Sequence, residues 1–545
     1  MGIALASGWR VAENQRIHSM EKTTLPKSTV AIVLLASFLA TSQACAEPLP
    51  RATPESQGIP SAAVLKLIDR LEAQHGMVHS YMLIRHGKVV AEGWWAPFDA
   101  TTPHALFSIS KSFVSMGIGY AVNDRKMMLN DRVAWFFPDC VPADADEEVH
   151  EMRVRDLMSM ASGQKHDTFD AMLAAAPGEA PREFFKAPIG NPPGMLFRYM
   201  SGNTAMLAQI HRKVTGAEDL IAYLRPRLFD KLGIDDLFWS RQRDNTVAGG
   251  SGLEMRTEDL AKICLLLLDG GRWHGERLLP LWWVKQATSC QTPYGQVTDP
   301  VLALHAGVAD NSTTPSEPDD WQVGYGYQLW MGRHESFRLC GAFGQIGAIL
   351  PNNDIVFVSN AGGRGSNKPS LNAFYDTILP ALSDGPLPED VIALRQLRER
   401  SSTLVLPLPE GTAKPDRAAV AAFAKSCAVG TNGFGLASVS YDAATRELVV
   451  CNTFGNWRIS VGESEWMRGE MQAEPDHADT LHRIPGGLQP VAAAGAWSAP
   501  NHFSAQIRFI RSPAVFTISL EIIDGKTHIS TDSNMSKSYR IFTSQ

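Results

Sequence analysis

Before residue 386, strand-like sequence comes in two clusters, residues 82–95 and 325–359, and the stretch between them is patterned as helix. The first cluster reads as a hairpin, Met82–Arg85 and Val89–Trp95 around His86-Gly87. It follows a helix over 61–75, with Ser61 as N-cap and Val64, Leu65, Leu67, Ile68 and Leu71 at helical spacing. The second reads as antiparallel strands at 325–330, 337–340, 346–350 and 354–359, the last two joined through Pro351-Asn352-Asn353-Asp354. Helical patterns fill 153–161, which stops at Ser162-Gly163, then 203–214, then 257–268, with Thr257 as cap and Gly270-Gly271 as stop. A lone hairpin is marginal in water. The economical solution is one antiparallel sheet built from both ends of this region with helices packed on it, an α+β arrangement.

Beyond this region the composition changes. Residues 386–416 are proline-rich and predict a linker. After it come short β-like runs at 434–441, 447–452, 457–461, 504–510, 514–521 and 539–543. They predict an antiparallel β domain, a small barrel or sandwich, over 417–545. At the other end, Lys22 and Lys27 precede an apolar run over 29–40, and Ala44-Cys45-Ala46 offers a small-residue cleavage site before Glu47. The run is too short for a good membrane span of ~20 residues. Residues 1–46 therefore read as an N-terminal extension and export signal, with Met20 as a second candidate start, and 47–385 as the first folded domain. Export implies a periplasmic or secreted protein and permits disulfides. Cys427 and Cys451 are the best-placed pair, with buried free thiols the alternative.

A net charge of −7 and the absence of a basic cluster interleaved with aromatics leave no electrostatic case for nucleic acid. The cysteines lack C-x-x-C spacing, so zinc is not expected. His211, His274 and His305 read as surface or packing residues. Dinucleotide, Walker, H-E-x-x-H and G-x-S-x-G signatures are absent from the chain, and no cofactor is expected.

One short motif carries chemistry. Ser108 and Lys111 form an S-x-x-K pair just before an apolar helical stretch over 113–122. Positions i and i+3 share a helix face, so a serine in the first turn has an amine beside it and the positive end of the helix dipole beneath it. A desolvated lysine can lose its charge and take the serine proton. The flanking Ile109, Phe113 and Val114 argue against a solvated lysine. Proton transfer to a leaving group needs a relay. Tyr199, after Pro193-Gly194 and Phe197, lies where a loop enters a helix, and a phenolate there would be favoured by Lys111. Oxyanion donors are expected from the Ser108 N–H and the glycine-rich stretch at 340–347, where Gly341, Gly344 and Gly347 permit close backbone approach and Gln345 offers an amide.

In these three segments the chain resembles the serine β-lactamase and penicillin-binding-protein superfamily. It is most similar to the class C-like branch with its esterases, D-aminopeptidases and 6-aminohexanoate-oligomer hydrolases. The motifs are Ser108–Lys111, Tyr199–Ser201 and, less well, the strand at 341–345, with further matches at 155–163, 252–261 and 324–330, in order over roughly 55–380. The resemblance implies a β-lactamase-like sheet with a helical subdomain. It also implies a metal-free acyl-enzyme mechanism on a small ester, amide or lactam, with Ser108 as nucleophile and Lys111 and Tyr199 sharing the proton transfers. Ser201 and Asn203 fit the S-x-N version of the second motif, in which Ser201 would be the relay. The third motif has neither Lys nor His before its glycine, so a β-lactam or peptidoglycan substrate, which presents a carboxylate there, is less expected than a small ester or amide. A β-lactamase or D,D-peptidase/D-aminopeptidase, and an inert binding or sensor protein of the same fold, are the alternatives.

Overall fold

The turn at His86-Gly87 takes positive φ at both residues, 50° and 70°, the two-residue geometry that suits the twist of a hairpin. It joins β1 (Val78–Arg85) to β2 (Lys88–Trp94). The computed structural model describes residues 47–545 apart from 75, 293–319, 364, 366, 430–434, 473–486, 536–539 and 544–545. The expected export signal over 1–46, His305 and the start of the last expected strand at Tyr539 lie outside the described residues.

Four later strands complete the sheet: β3 (Trp330–Met331), β4 (Phe337–Gly341), β5 (Gln345–Leu350) and β6 (Ile355–Ala361), in the order β2-β1-β6-β5-β4-β3. The two ends of the region meet where β1 pairs antiparallel with β6, Met82 opposite Val358 and Leu83 opposite Phe357. Alternation then sorts the side chains. Tyr81, Leu83, Ile346, Ala348 and Phe357 face α1 (Ser61–Glu72) and two later helices, α5 (Asn367–Ile378) and α6 (Val391–Ser402). Met82, Ile84, Ile349, Val356 and Val358 join the core that holds α2 (Ser110–Asn123), α3 (Ser201–Thr215) and α4 (Thr257–Leu268).

Local details differ from the sequence expectations. Ser61 and Thr257 are first helical residues, not caps. Glu55 accepts the Ser61 N–H, and the Thr257 hydroxyl hydrogen-bonds Ser80 and Asn360. Residues 325–330 are not a continuous strand. Gln328 takes φ 65°, and its amide is spent on Leu157, Met158 and Thr204. The proline-rich stretch at 386–416 is not an open tether either. It contains α6, whose Leu394 and Leu397 are buried, and Leu404 and Leu406 are buried as well.

Among the described residues, the C-terminal region has ten strands in two antiparallel meanders. The first is β7 (Cys427–Ala428), β8 (Leu436–Asp442), β9 (Glu447–Asn452) and β10 (Gly455–Ser460). The second is β11 (Met467–Met471), β12 (Gln489–Ala499), β13 (His502–Phe509), β14 (Val515–Ile523), β15 (Lys526–Ser533) and β16 (Arg540–Thr543). They enclose one core of Val439, Val450, Ile459, Val491, Ile507, Ile518 and Ile529. On β12, Val491 and Ala493 enter this core while Ala492 and Ala494 pack into the one shared with the main sheet. The Cys427–Cys451 pairing does not form, and all six described cysteines are free thiols. Cys427 stands opposite Val439 and Cys451 opposite Ser438, so the register puts the two thiols on opposite faces.

Candidate active site

Ser108 lies in a tight turn between the short strand His104–Phe107 and α2, two residues before the helix begins. The turn is stitched by Ile109 N to Leu106 O at 3.2 Å and Lys111 N to Ser108 O at 3.0 Å. The Ser110 hydroxyl donates to Phe107 O at 2.6 Å and accepts from Leu253 N at 3.0 Å, which ties the turn to the strand Leu253–Met255. Ser108 itself stays half-exposed.

Lys111 is 1% exposed. Its Nζ donates to Ser108 Oγ at 2.9 Å, Ser201 Oγ at 3.0 Å and Gly250 O at 2.6 Å, which accounts for all three hydrogens of an ammonium. Burial lowers its pKa to about 7, with the Asp167 carboxylate pulling the other way. At neutral pH a large share of this amine is therefore uncharged and keeps a lone pair beside the Ser108 hydroxyl.

The Tyr199 phenol is directed toward Ser108, and its ring lies 4.9 Å beneath Lys111 Nζ. Burial raises its pKa well above the ordinary value, only partly offset by Ser108. The expected phenolate is thus not favoured. Desolvation dominates, and the neighbouring lysine has itself surrendered much of its charge. Tyr199 is a neutral phenol backed by Trp330, stacked at 5.4 Å, with Trp321, Tyr325 and Phe197 around that ring.

Ser201 opens α3, and its hydroxyl faces Lys111. Asp167 accepts the Ser201 N–H and the Gly202 N–H, each at 2.7 Å, and so closes the helix start beside the lysine. The residue as a whole is exposed, but its carboxyl end is turned onto these donors, and desolvation raises its pKa. Gly202 is required for this approach, since a Cβ there would lie 2.3 Å from Thr168 Oγ1. Asn203 is fully buried with its amide nitrogen against Met160 Sδ, and it makes neither of the contacts to Ser108 and Lys111 that Tyr199 and Ser201 make.

The glycine-rich turn lies next to the serine. A Cβ on Gly341 would stand 2.2 Å from Leu106 O, so only glycine allows the end of β4 this close to the strand entering Ser108. Phe343 takes φ 64° and Gly344 φ 101°, and the Phe343 ring packs on Phe107, itself at φ 52°, with centroids 5.1 Å apart. Two bulky residues with positive φ, one on each side of the same cleft, mark a shape imposed by tertiary contacts. Gln345 does not offer its amide to the cleft. Its Nε2 donates to Ala342 O and Ala361 O, and its Oε1 accepts from Ala361 N. A fully buried amide in a sheet is taken by backbone groups that would otherwise be unpaired. Asn367 adds bonds to Gly341 O and Gln345 O, so both amides hold the turn from behind.

Of the residues the sequence pattern singles out, the structure brings Ser108, Lys111, Tyr199 and Ser201 together, places Gly344 in the adjoining turn, and leaves Asn203 and the Gln345 side chain out. The pattern carries no signal for Asp167 or the Gly250 carbonyl. His211 is fully buried against Tyr223, a packing residue.

A family model described as Beta-lactamase matches residues 51–377. A 6-aminohexanoate-dimer hydrolase of Paenarthrobacter ureafaciens is 26% identical over 226 residues, 38% of this chain and 56% of that protein. This chain thus spans little more than half the length of that curated relative. Among solved structures, the octameric penicillin-binding protein homologue from Pyrococcus abyssi aligns at 14% identity and a TM-score of 0.44, covering 88% of this chain and 98% of that one. The hydrolase EstCE1, described as having promiscuous acyltransferase activity, aligns at 16% identity and a TM-score of 0.45, covering 58% of this chain and 99% of that one.

Proposed function

Because this chain belongs to the beta-lactamase family, we propose that it is a serine hydrolase that cleaves small esters or amides through an acyl-enzyme on Ser108. The observation that carries the proposal is the 2.9 Å hydrogen bond between Lys111 Nζ and Ser108 Oγ, in a place where burial keeps the amine near neutrality. The neutral amine takes the Ser108 proton as Oγ attacks the carbonyl carbon. The carbonyl oxygen becomes an oxyanion and is received by backbone N–H groups, that of Ser108 and one from the adjoining glycine-rich turn. As the tetrahedral intermediate collapses, the bond to the leaving oxygen or nitrogen breaks. The Tyr199 phenol gives that atom a proton and is resupplied from the Lys111 ammonium. Water then attacks the ester on Ser108 with the same groups in reverse order. Ser201 holds Lys111 in register.

The substrate we assign is uncharged at the position where lactam-binding relatives meet a carboxylate. Leu339 and Cys340 precede Gly341, and the nearby Arg338 is fully buried, bonded to Met331 O and Asp320 O beneath Trp321. The name of the curated relative adds an amide to the candidate bonds. We also propose export from the cytoplasm, on the strength of Lys22, Lys27, the apolar run at 29–40 and Ala44-Cys45-Ala46. No helix among the described residues is long and apolar enough to cross a membrane. A hydrolysis panel of a nitrophenyl ester, a 6-aminohexanoate dimer and nitrocefin, run with wild type and Ser108→Ala, tests the proposal. Ser108-dependent turnover of the ester or the amide is expected. Turnover of nitrocefin alone would move the assignment to a β-lactamase, and no Ser108-dependent turnover would remove it.

A further inference from the structure

The C-terminal β region reaches the nucleophile strand at Arg511. Arg511 sits in the turn between β13 and β14, which is fixed within that region by Ile510 N to Pro490 O and Ser512 N to Phe509 O. Its carbonyl accepts the Ala105 N–H at 2.8 Å, three residues before Ser108. Its Nε donates to Glu254 Oε2 at 2.7 Å, and the Glu254 side chain is only 7% exposed. Glu254 lies on the strand that pairs with Ala105, one residue from Leu253, whose N–H holds Ser110. The same strand follows the turn that presents Gly250 O to Lys111. Arg511 thus grips both strands behind Ser108 and Lys111, one by its backbone and one by its guanidinium. The oxyanion side is held from the same region, because Asn534 Nδ2 donates to Gly362 O at 3.0 Å and to Pro513 O at 2.7 Å. Gly362 follows Ala361, the residue that anchors Gln345.

We infer that the C-terminal β region is a brace for the active site and that Arg511 is a positioning residue, aligning Ser108 and Lys111 through Ala105 and Glu254. The inference rests on the Ser108 hydrolase assignment. A site held loosely by about 1 Å loses rate in the chemical step before it loses ground-state binding.

The test uses the full chain. Active sites in wild type, Arg511→Ala, Arg511→Lys, Glu254→Gln and the Arg511→Ala/Glu254→Gln double variant are titrated with a fluorophosphonate, and kcat and KM for a nitrophenyl ester are expressed per titrated site. A residue that only joins domains changes the melting temperature and the number of titratable sites, not the turnover of each site. The expected result is a fall of about tenfold or more in kcat per site for Arg511→Ala and for Glu254→Gln, with KM within about twofold. The double variant falls no further than the worse single one, since one contact is lost in each case. Should Arg511→Ala not fold, Arg511→Lys and the isosteric Glu254→Gln carry the same comparison. Kcat per site within twofold of wild type in the folded single variants overturns the inference. A labelled, active wild type with undisturbed variants removes the brace alone. A wild type that takes no label at Ser108 removes the hydrolase assignment and the brace with it.

Discussion

Lowering the pH should switch this site off through Lys111, and the structure sets where. With a pKa near 7, about half of the amine is neutral at pH 7, about one-tenth at pH 6 and about one-hundredth at pH 5. An ordinary lysine would be neutral in only about one molecule in three thousand at pH 7. The active form is the uncharged one, so activity fills in as pH rises through about 7 and falls about tenfold for each unit below it. The assay is the second-order rate of Ser108 acylation by a fluorophosphonate, or kcat/KM for a neutral nitrophenyl ester, from pH 5 to 9. Asp167→Asn adds a directional check, because its carboxylate raises the lysine pKa. Removing it should carry the acidic limb to lower pH, with about a fivefold relative gain at pH 6 for a shift of one full unit. The plateau should drop as well, since an amide at 167 aims an N–H at the Ser201 N–H that Oδ2 now accepts. A profile flat from pH 5 to 9, or one still climbing tenfold per unit at pH 9, would refute the claim that a buried neutral lysine is the base.

Tyr199→Phe should cost about 10²–10³ in kcat, the scale of a lost proton donor, and Ser201→Ala about tenfold from a less restrained Lys111; a larger loss for the serine change would make Ser201 the relay. Gln345→Leu should lower stability by about 1–3 kcal/mol in urea unfolding, because Ala342 O, Ala361 O and Ala361 N lose their partner. A rise in KM at unchanged stability would instead return Gln345 to the substrate. Gly341→Ala should reduce kcat sharply, as its Cβ would meet Leu106 O at 2.2 Å, and normal kcat would show that β4 can yield there.

The sheet was legible because its two halves each carry the right period. The His86-Gly87 turn and the alternation along 346–359 already demand an antiparallel partner. The Ser108–Lys111 spacing was legible for the same reason, since helical geometry alone brings the two side chains together. Other features were hidden for reasons of physics. Asp167 acts from a loop, and Gly250 acts through its backbone carbonyl, which no side-chain pattern encodes. Gln345 looked like a substrate contact because an amide beside glycines suits either role, and only the sheet decides that Ala361 claims it. The strand β12 escaped notice because it is buried on both faces, which erases the alternation. The helix α6 escaped because the prolines on either side of it read as a tether. Tyr199 lies beside Lys111, but the charge of its phenol is not legible in sequence, since the balance between burial and a neighbouring cation depends on how much of the cation survives burial.

The central claim is a covalent bond at one hydroxyl. The most direct measurement is the intact mass of the protein quenched during turnover of a slow ester, followed by peptide mapping of the adduct. The expected result is a mass increase of one acyl group on the peptide containing Ser108, lost in Ser108→Ala and about tenfold slower to form at pH 6 than on the alkaline plateau. An adduct on another residue, or turnover with no acyl group on Ser108 under single-turnover conditions, would contradict it.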